Sequence, residues 1–240
     1  MAWTRLWSLN LKFSGPSSQN HHAAFETAIS KAFETITTPA LTNLSVSVIY
    51  MARFRGLHNQ RIANDRDLPF HDLLLRSECQ IANLHLCMLF DEARLGKTLD
   101  LISPTLKALT VDIRGWNGYF NRRVRFGDEP DPATFIDPVQ KALVPSGNHV
   151  ACPNLARIHF KSCILRDCRI MVDLIERRSR ATRIDTFKAD FGEIWPGVEE
   201  TFLRSALESA KSRLNGVKVE WDFWMVQDED EESDDDSDHW

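Results

Sequence analysis

One spacing of apolar residues recurs along this chain and limits what the chain can fold into. In residues 155–165, LARIHFKSCIL, the residues Leu155, Ile158 and Phe160 follow one another at intervals of three and then two, and Cys163 comes three residues later. An amphipathic helix needs intervals of three and four, and a half-buried strand needs intervals of two. The stretch fits neither period, so it indicates a short strand that is followed by a change of direction near Cys163.

The same spacing occurs six more times, which makes chance an unlikely source even though Leu is common. The seven motifs begin at Leu6, Leu41, Ile81, Leu106, Leu155, Ile184 and Leu214. The spacing matches L-x-x-L-x-L-x-x-N/C-x-L, the pattern of a leucine-rich repeat, in which each repeat adds one short strand to a shared parallel sheet. We therefore predict an α/β fold, a leucine-rich-repeat solenoid with a curved parallel β-sheet, outer helices and irregular repeats. The alternative is a compact α/β domain whose strands share this pattern.

The segments between the motifs have helical periodicity. Apolar residues lie three or four apart in residues 21–36, 91–102, 166–178 and, after Pro196, in residues 202–210. This spacing places them on one face of each helix. Strand and helix therefore alternate along the chain, which is typical of a parallel α/β structure.

Two insertions and a tail interrupt the repeats. We predict a repeat domain over residues 1–226, with a basic polar stretch at 52–67 and a larger insertion at 115–149 that is rich in aromatic residues, Arg and Pro. Residues 227–240 contain the run DEDEESDDDSD and are expected to be disordered, because they hold too little apolar surface to bury. Without the nine acids of this run, the net charge changes from −5 to about +4.

Composition also predicts the compartment. No window approaches the roughly 18 consecutive apolar residues of a membrane span, and the N-terminus lacks the order of a secretory signal. The odd number of cysteines, five, favours reduced and buried thiols. We therefore expect a cytoplasmic or nuclear protein with no membrane partner.

Three stretches carry a family resemblance: LLLRSECQIANLHL, LISPTLKALTV and the long run CPNLARIHFKSCILRDCRIMVDLIERRSRATRIDTFKADF. They resemble the C-terminal leucine-rich region of basidiomycete F-box-like proteins, over about residues 68–224. The resemblance implies repeats that hold the substrate of a ubiquitin ligase and that contain no catalytic residues. The chain begins directly in a strand and shows no F-box hairpin, so we expect a Skp-type adaptor as a partner only if an F-box exists elsewhere in the full gene product.

The predicted partner-binding residues lie on the strand positions that alternate with the apolar ones, and in the large insertion. They are Asn10, Ser45, His85, Thr110, Asp112, Trp116, Tyr119, His159, Lys161 and Lys188. In register, these strand positions would form rows of polar and charged side chains about 4.8 Å apart. The function predicted from them is a non-catalytic protein-interaction module. The other interpretation of the strand rows is a solvated face with no partner.

Other functions have weaker support. The chain has no GxSxG, Walker or GxGxxG motif and no CxxC or HxxxH pair, so we predict no enzymatic activity, no cofactor and no metal site. His85 and His159 are separated by one strand, which would place them about 9–10 Å apart. The alternative function is a nucleic-acid or chromatin binder through the basic and aromatic loop 119–126, although the acidic tail would compete with nucleic acid.

Overall fold

The described residues of the computed structural model include all seven predicted strands. They are residues 3–15, 22–50, 67–88, 90, 92–112, 137–144, 150–164, 168–193, 205, 208–209, 211–214 and 216–223. The strands are β1 Ser8–Gly15, β2 Asn43–Tyr50, β3 Asn83–Cys87, β4 Ala108–Asp112, β5 Arg157–Ile164, β6 Thr186–Glu193 and β7 Lys218–Phe223. The helices are α1 His22–Glu34, α2 His71–Ser77, α3 Glu92–Ile102, α4 Asp137–Leu143 and α5 Cys168–Ala181.

The seven strands form one parallel sheet in chain order, from β1 to β7. The predicted α/β fold with a parallel sheet is therefore confirmed. In the first six strands, the middle apolar residues of the predicted motifs pair with one another across the sheet: Leu9, Leu44, Leu84, Leu109, Ile158 and Phe187. These six motifs occupy equivalent positions.

The seventh motif lies in a different register from the predicted one. Its spacing predicts Val217 beside Phe187, but Val219 is the residue that pairs with Phe187. A shift of two residues leaves the alternation of side chains unchanged, so the pattern alone cannot distinguish the two registers. In the observed register the Trp221 ring packs against Phe187 and Phe191, with ring centroids 5.3 and 6.1 Å apart. These aromatic contacts stabilise the observed pairing.

Alternate strand residues face the helices and form one continuous apolar core. In β3, Leu84 and Leu86 are buried, whereas the alternating residues Asn83 and His85 are only half-buried. Burial of one such Leu side chain stabilises the fold by about 1.5–3 kcal/mol. At the β1 edge of the sheet, where one neighbouring strand is missing, Leu11 is only half-buried.

The same backbone hydrogen bonds recur where each strand begins. In the first five motifs, the backbone carbonyl of the residue after the first apolar one accepts hydrogen bonds from two N–H groups at the start of the next strand, at 2.8–3.1 Å. These carbonyls belong to Trp7, Thr42, Ala82, Lys107 and Ala156. The sixth, of Asp185, accepts the N–H of Lys218. Each repeat is thus joined to the next at the same position, which keeps the side chains in rows.

A β-bulge explains the spacing around Cys163. The pairing of β5 with β6 shifts between Phe160 and Cys163, and Ser162 there has a φ of 56°. A bulge inserts an extra residue and bends the strand. As a result both Phe160 and Cys163 are buried, although three residues separate them.

Helices α1 and α3 lie within the predicted helical segments 21–36 and 91–102. Helix α5 begins within the predicted segment 166–178 and ends three residues beyond it, at Ala181. The helix predicted after Pro196 falls mostly outside the described residues. Residues 137–144 of the predicted insertion are described, and they contain α4, whose Val139 and Leu143 are buried. This part of the insertion therefore contributes to the helical layer.

One fully buried arginine joins three segments of the helical side. Arg178 of α5 donates hydrogen bonds to the carbonyl of Leu143, at 2.9 Å, and to the carbonyl of Cys152. Its side chain is 0% exposed, and this burial lowers the pKa of the guanidinium. An arginine still stays protonated in a protein. The buried cation therefore supplies hydrogen-bond donors to one carbonyl at the end of α4 and to one in the loop before β5.

We expect Arg178→Met to lower the free energy of unfolding by about 3 kcal/mol, because it leaves two buried carbonyls without their donor. Urea unfolding followed by circular dichroism measures the effect. The matched control is Arg180→Met on the exposed side of the same helix, where a change within about 0.5 kcal/mol is expected. Equal effects of the two substitutions would contradict this role of Arg178.

Candidate interaction surface

The open face of the sheet is formed by the strand residues that alternate with the core residues. Three rows cross it, each with one residue per strand. The first row is Ser8, Asn43, Asn83, Ala108, Arg157, Thr186 and Lys218. The second row is Asn10, Ser45, His85, Thr110, His159, Lys188 and Glu220. The third row is Lys12, Ser47, Cys87, Asp112, Lys161, Asp190 and Asp222; Cys87 and Asp112 in it are buried, and the bulge interrupts the row between Lys161 and Asp190.

The structure brings most of the predicted partner-binding residues together. The second row contains Asn10, Ser45, His85, Thr110, His159 and Lys188 side by side. Asp112 pairs with Lys161 in the third row, but it is only 1% exposed, which leaves it almost no surface for a partner. The motif spacing would place Lys218 beside Lys188, but the observed register of β7 differs by two residues. Lys218 lies in the first row, and Glu220 takes its place beside Lys188.

Two other predicted elements fall outside the described residues. Trp116 and Tyr119 belong to the segment 113–136, which also contains the basic and aromatic loop 119–126. The acidic tail at 227–240 lies outside as well. The roles proposed for them stay predictions.

A groove of about 390 Å³ runs along the first and second rows, from Ser8 on β1 to Lys188 on β6. Its polar lining combines amides, hydroxyls, the imidazoles of His85 and His159, and the cations Arg157 and Lys188, and no described lining residue is an Asp or a Glu. The acids of the open face lie in the third row or on β7. The groove therefore combines apolar surface from Leu44, Leu84, Leu109 and Ile158 with polar groups and two cations.

A directional chain of hydrogen bonds follows the first row. Arg157 donates to Oδ1 of Asn83 at 3.2 Å, Asn83 donates to Oδ1 of Asn43 at 2.6 Å, and Asn43 donates to the carbonyl of Trp7 at 3.3 Å. Arg157 reaches Asn83 across the short side chain of Ala108 on the intervening strand. The sequence contains the signal, an Asn at the same motif position in two neighbouring repeats, but the prediction did not include these residues.

An ionic cluster occupies the end of the second and third rows. Asp190 contacts Nε2 of His159 at 2.8 Å and Nζ of Lys188 at 3.3 Å, and Lys188 also contacts Asp222 at 2.7 Å. The hydrogen bond from Lys188 lowers the pKa of Asp222. Hydrogen bonds to Asp222, and then to Asp190, raise the pKa of Lys188. Both groups are thus favoured in their charged forms near neutral pH.

Ser45, His85 and Asp112 form a chain that has the composition of a hydrolase triad but not its geometry. Ser45 Oγ lies 3.1 Å from Nδ1 of His85, but Nε2 of His85 is 4.0 Å from the Asp112 carboxylate. That distance is too long for a hydrogen bond. Ser45 also lies mid-strand, paired on both sides, whereas acyl transfer needs N–H groups aimed at the reacting oxygen. The arrangement connects three strands rather than activating a nucleophile.

The described residues contain neither a metal-ion cluster nor a membrane-spanning helix. No group of three or more His, Cys, Asp or Glu residues in the described ranges could hold a metal ion. In those ranges, no helix is both long enough and apolar enough to cross a membrane. Cys87, Cys152 and Cys163 are buried, and burial raises the pKa of Cys152 to about 11, which makes it a poor nucleophile at neutral pH.

Comparison with known proteins gives no indication of the function of this chain. No protein-family model, no curated protein and no solved structure gives a significant match to this chain.

We expect Asp222→Asn to lower the free energy of unfolding at pH 7 by less than about 1 kcal/mol, because exposed ion pairs are weak. The folded-state pKa of Asp222 is lowered, so its contribution is complete above about pH 4 and disappears as the pH falls through that lowered pKa. The pKa of Lys188 is raised, so the pair also weakens as the pH rises through that value, above about pH 10.

Urea unfolding of both proteins across this pH range measures the difference. Asp100→Asn, an exposed acid on α3, is the control and should show no comparable pH-dependent loss. A difference between Asp222→Asn and wild type that stays unchanged down to pH 2 would show that the ion pair is not its source.

Proposed function

We propose that this chain is a non-catalytic protein-interaction module, a leucine-rich-repeat solenoid whose open face binds a partner protein. One observation carries the proposal: six predicted residues from six different repeats, Asn10 to Lys188, stand side by side in the second row. Seven parallel strands in chain order and the recurring hydrogen bonds at the strand starts support the solenoid.

The surface suits binding better than catalysis. Several of its polar side chains are held by hydrogen bonds between strands, as in the contacts of Ser45 with His85 and of Asn83 with Asn43. Such side chains lose little further freedom when a partner binds, which favours affinity. The face crosses seven strands, about 29 Å at a spacing of about 4.8 Å, enough for a protein or an extended peptide.

The biological context we propose rests on the sequence resemblance. By analogy with the substrate-recognition repeats of F-box-type ubiquitin-ligase subunits, the open face would hold the protein that is to be ubiquitinated. A Skp-type adaptor would join only through an F-box elsewhere in the full gene product.

Site-specific photo-crosslinking tests the proposal. We expect a benzoylphenylalanine at Asn10 or at Thr110, in the second row, to give discrete protein adducts in extract from cells that express the protein. The matched control places it at Leu75, an exposed position on helix α2. Mass spectrometry then identifies the adducts.

The same adducts from Leu75, or none from Asn10 and Thr110, would contradict the proposal. The nucleic-acid alternative predicts instead binding to an oligonucleotide that falls steeply as the salt concentration rises. Recovery of a Skp-type adaptor with the full gene product would support the ligase context.

A further inference from the structure

We propose that the groove along the first and second rows recognises an extended acidic segment of the partner protein, and that Arg157 binds an Asp or Glu carboxylate of that segment. This inference rests on the proposed function and specifies the chemistry of the partner. It also assigns a role to Arg157, Asn83 and Asn43, which the prediction from the sequence did not include.

The charge distribution of the groove supports an anionic occupant. Of its two lining cations, Lys188 is already paired with Asp190 and Asp222 of the third row. Arg157 contacts no carboxylate among the described residues, and its guanidinium is bonded to the neutral amide of Asn83. Arg157 is therefore the uncompensated cation of the groove lining, with no lining acid to repel a carboxylate.

The asparagine chain holds this cation in place before a partner binds. One terminal nitrogen of Arg157 donates to Asn83, which in turn is held through Asn43 by the backbone carbonyl of Trp7, just before β1. Hydrogen bonds in a chain of one direction strengthen one another. The remaining N–H groups of the planar guanidinium form a fork that fits the two oxygens of a carboxylate.

The dimensions of the groove fit an extended peptide that crosses the strands. From β1 to β6 the groove spans five strand spacings, about 24 Å. An extended chain advances about 3.3 Å per residue, so about seven residues would fill this length. The hydroxyls of Ser45, Thr110 and Thr186 line the way and can bond to the peptide backbone or to further carboxylates.

A peptide fits the groove better than a nucleic acid does. Single-strand binders combine several cations along the phosphate backbone with aromatic side chains on which the bases stack. Among the described residues, the groove lining has one uncompensated cation and no aromatic residue. Asp and Glu carboxylates spaced along a peptide need only local donors of the kind that Arg157 provides.

A titration of the full-length chain followed by NMR tests the inference. The probe is a synthetic peptide of the sequence DEDEESDDDSD, and its neutral counterpart is NQNQQSNNNSN. Because residues 228–238 of the chain have the probe's own sequence, the titrated protein carries Asn and Gln in place of those nine acids. We expect the acidic peptide to shift the amide signals of Arg157 and Ala108 and the neutral peptide to leave them unchanged.

Substitutions then separate a specific contact from net charge. Arg157→Gln is expected to weaken binding about fivefold, and Arg157→Lys, which keeps the charge without the fork, about twofold. The matched control is Arg177→Gln, which removes one positive charge from an exposed site on helix α5 and should leave affinity unchanged.

Equal weakening by Arg157→Gln and Arg177→Gln would overturn the inference, as would tighter binding of an 11-nucleotide oligothymidylate than of the acidic peptide. Binding only of a phosphoserine version of the peptide would also overturn it, since the occupant would then be phosphate. If these results appear while the adducts at Thr110 remain, this inference falls and the proposed function stands. If the adducts are absent too, the proposed function also falls.

Discussion

The fold depends on apolar side chains that neighbouring repeats share. A single strand with its connecting segment is too thin to bury its own apolar face, so Leu84 of β3 is enclosed only because Leu44 and Leu109 lie beside it. The row continues through Ile158 to Phe187 without a polar interruption. The strands contact mainly their immediate neighbours in the sheet, so these apolar contacts are distributed along it.

In-register stacking also determines what the open face can do. Equivalent residues of adjacent strands lie about 4.8 Å apart, so one side chain can bond to the next, as Asn83 does to Asn43. A contact across two spacings needs a long side chain and a small residue between, which Arg157 and Ala108 provide. The geometry that builds the core thereby also orients the polar groups and the cation Arg157 that line the groove.

Several structural features could be predicted from the residues, and others could not. The motifs that begin at Leu6 to Ile184 predicted the order and pairing of six strands, because the three-then-two spacing places the same apolar positions against each other. The register of β7 could not be predicted, since Val217 and Val219 satisfy the same alternation and the choice rests on the packing of Trp221. The buried Arg178 was also unforeseen, because basic residues usually end a helix in solvent.

For the candidate site, the sequence by itself determined which residues share the second row on β1 to β6, because alternation and motif position follow from strand geometry alone. Only the tertiary structure decided which of them interact. Lys188 is neutralised by acids from its own strand and from β7, whereas Arg157 is held by the neutral amide of Asn83. Those outcomes depend on side-chain length, on the small size of Ala108 between Arg157 and Asn83, and on the register of β7. Such relations arise only when strands that are distant in sequence lie side by side.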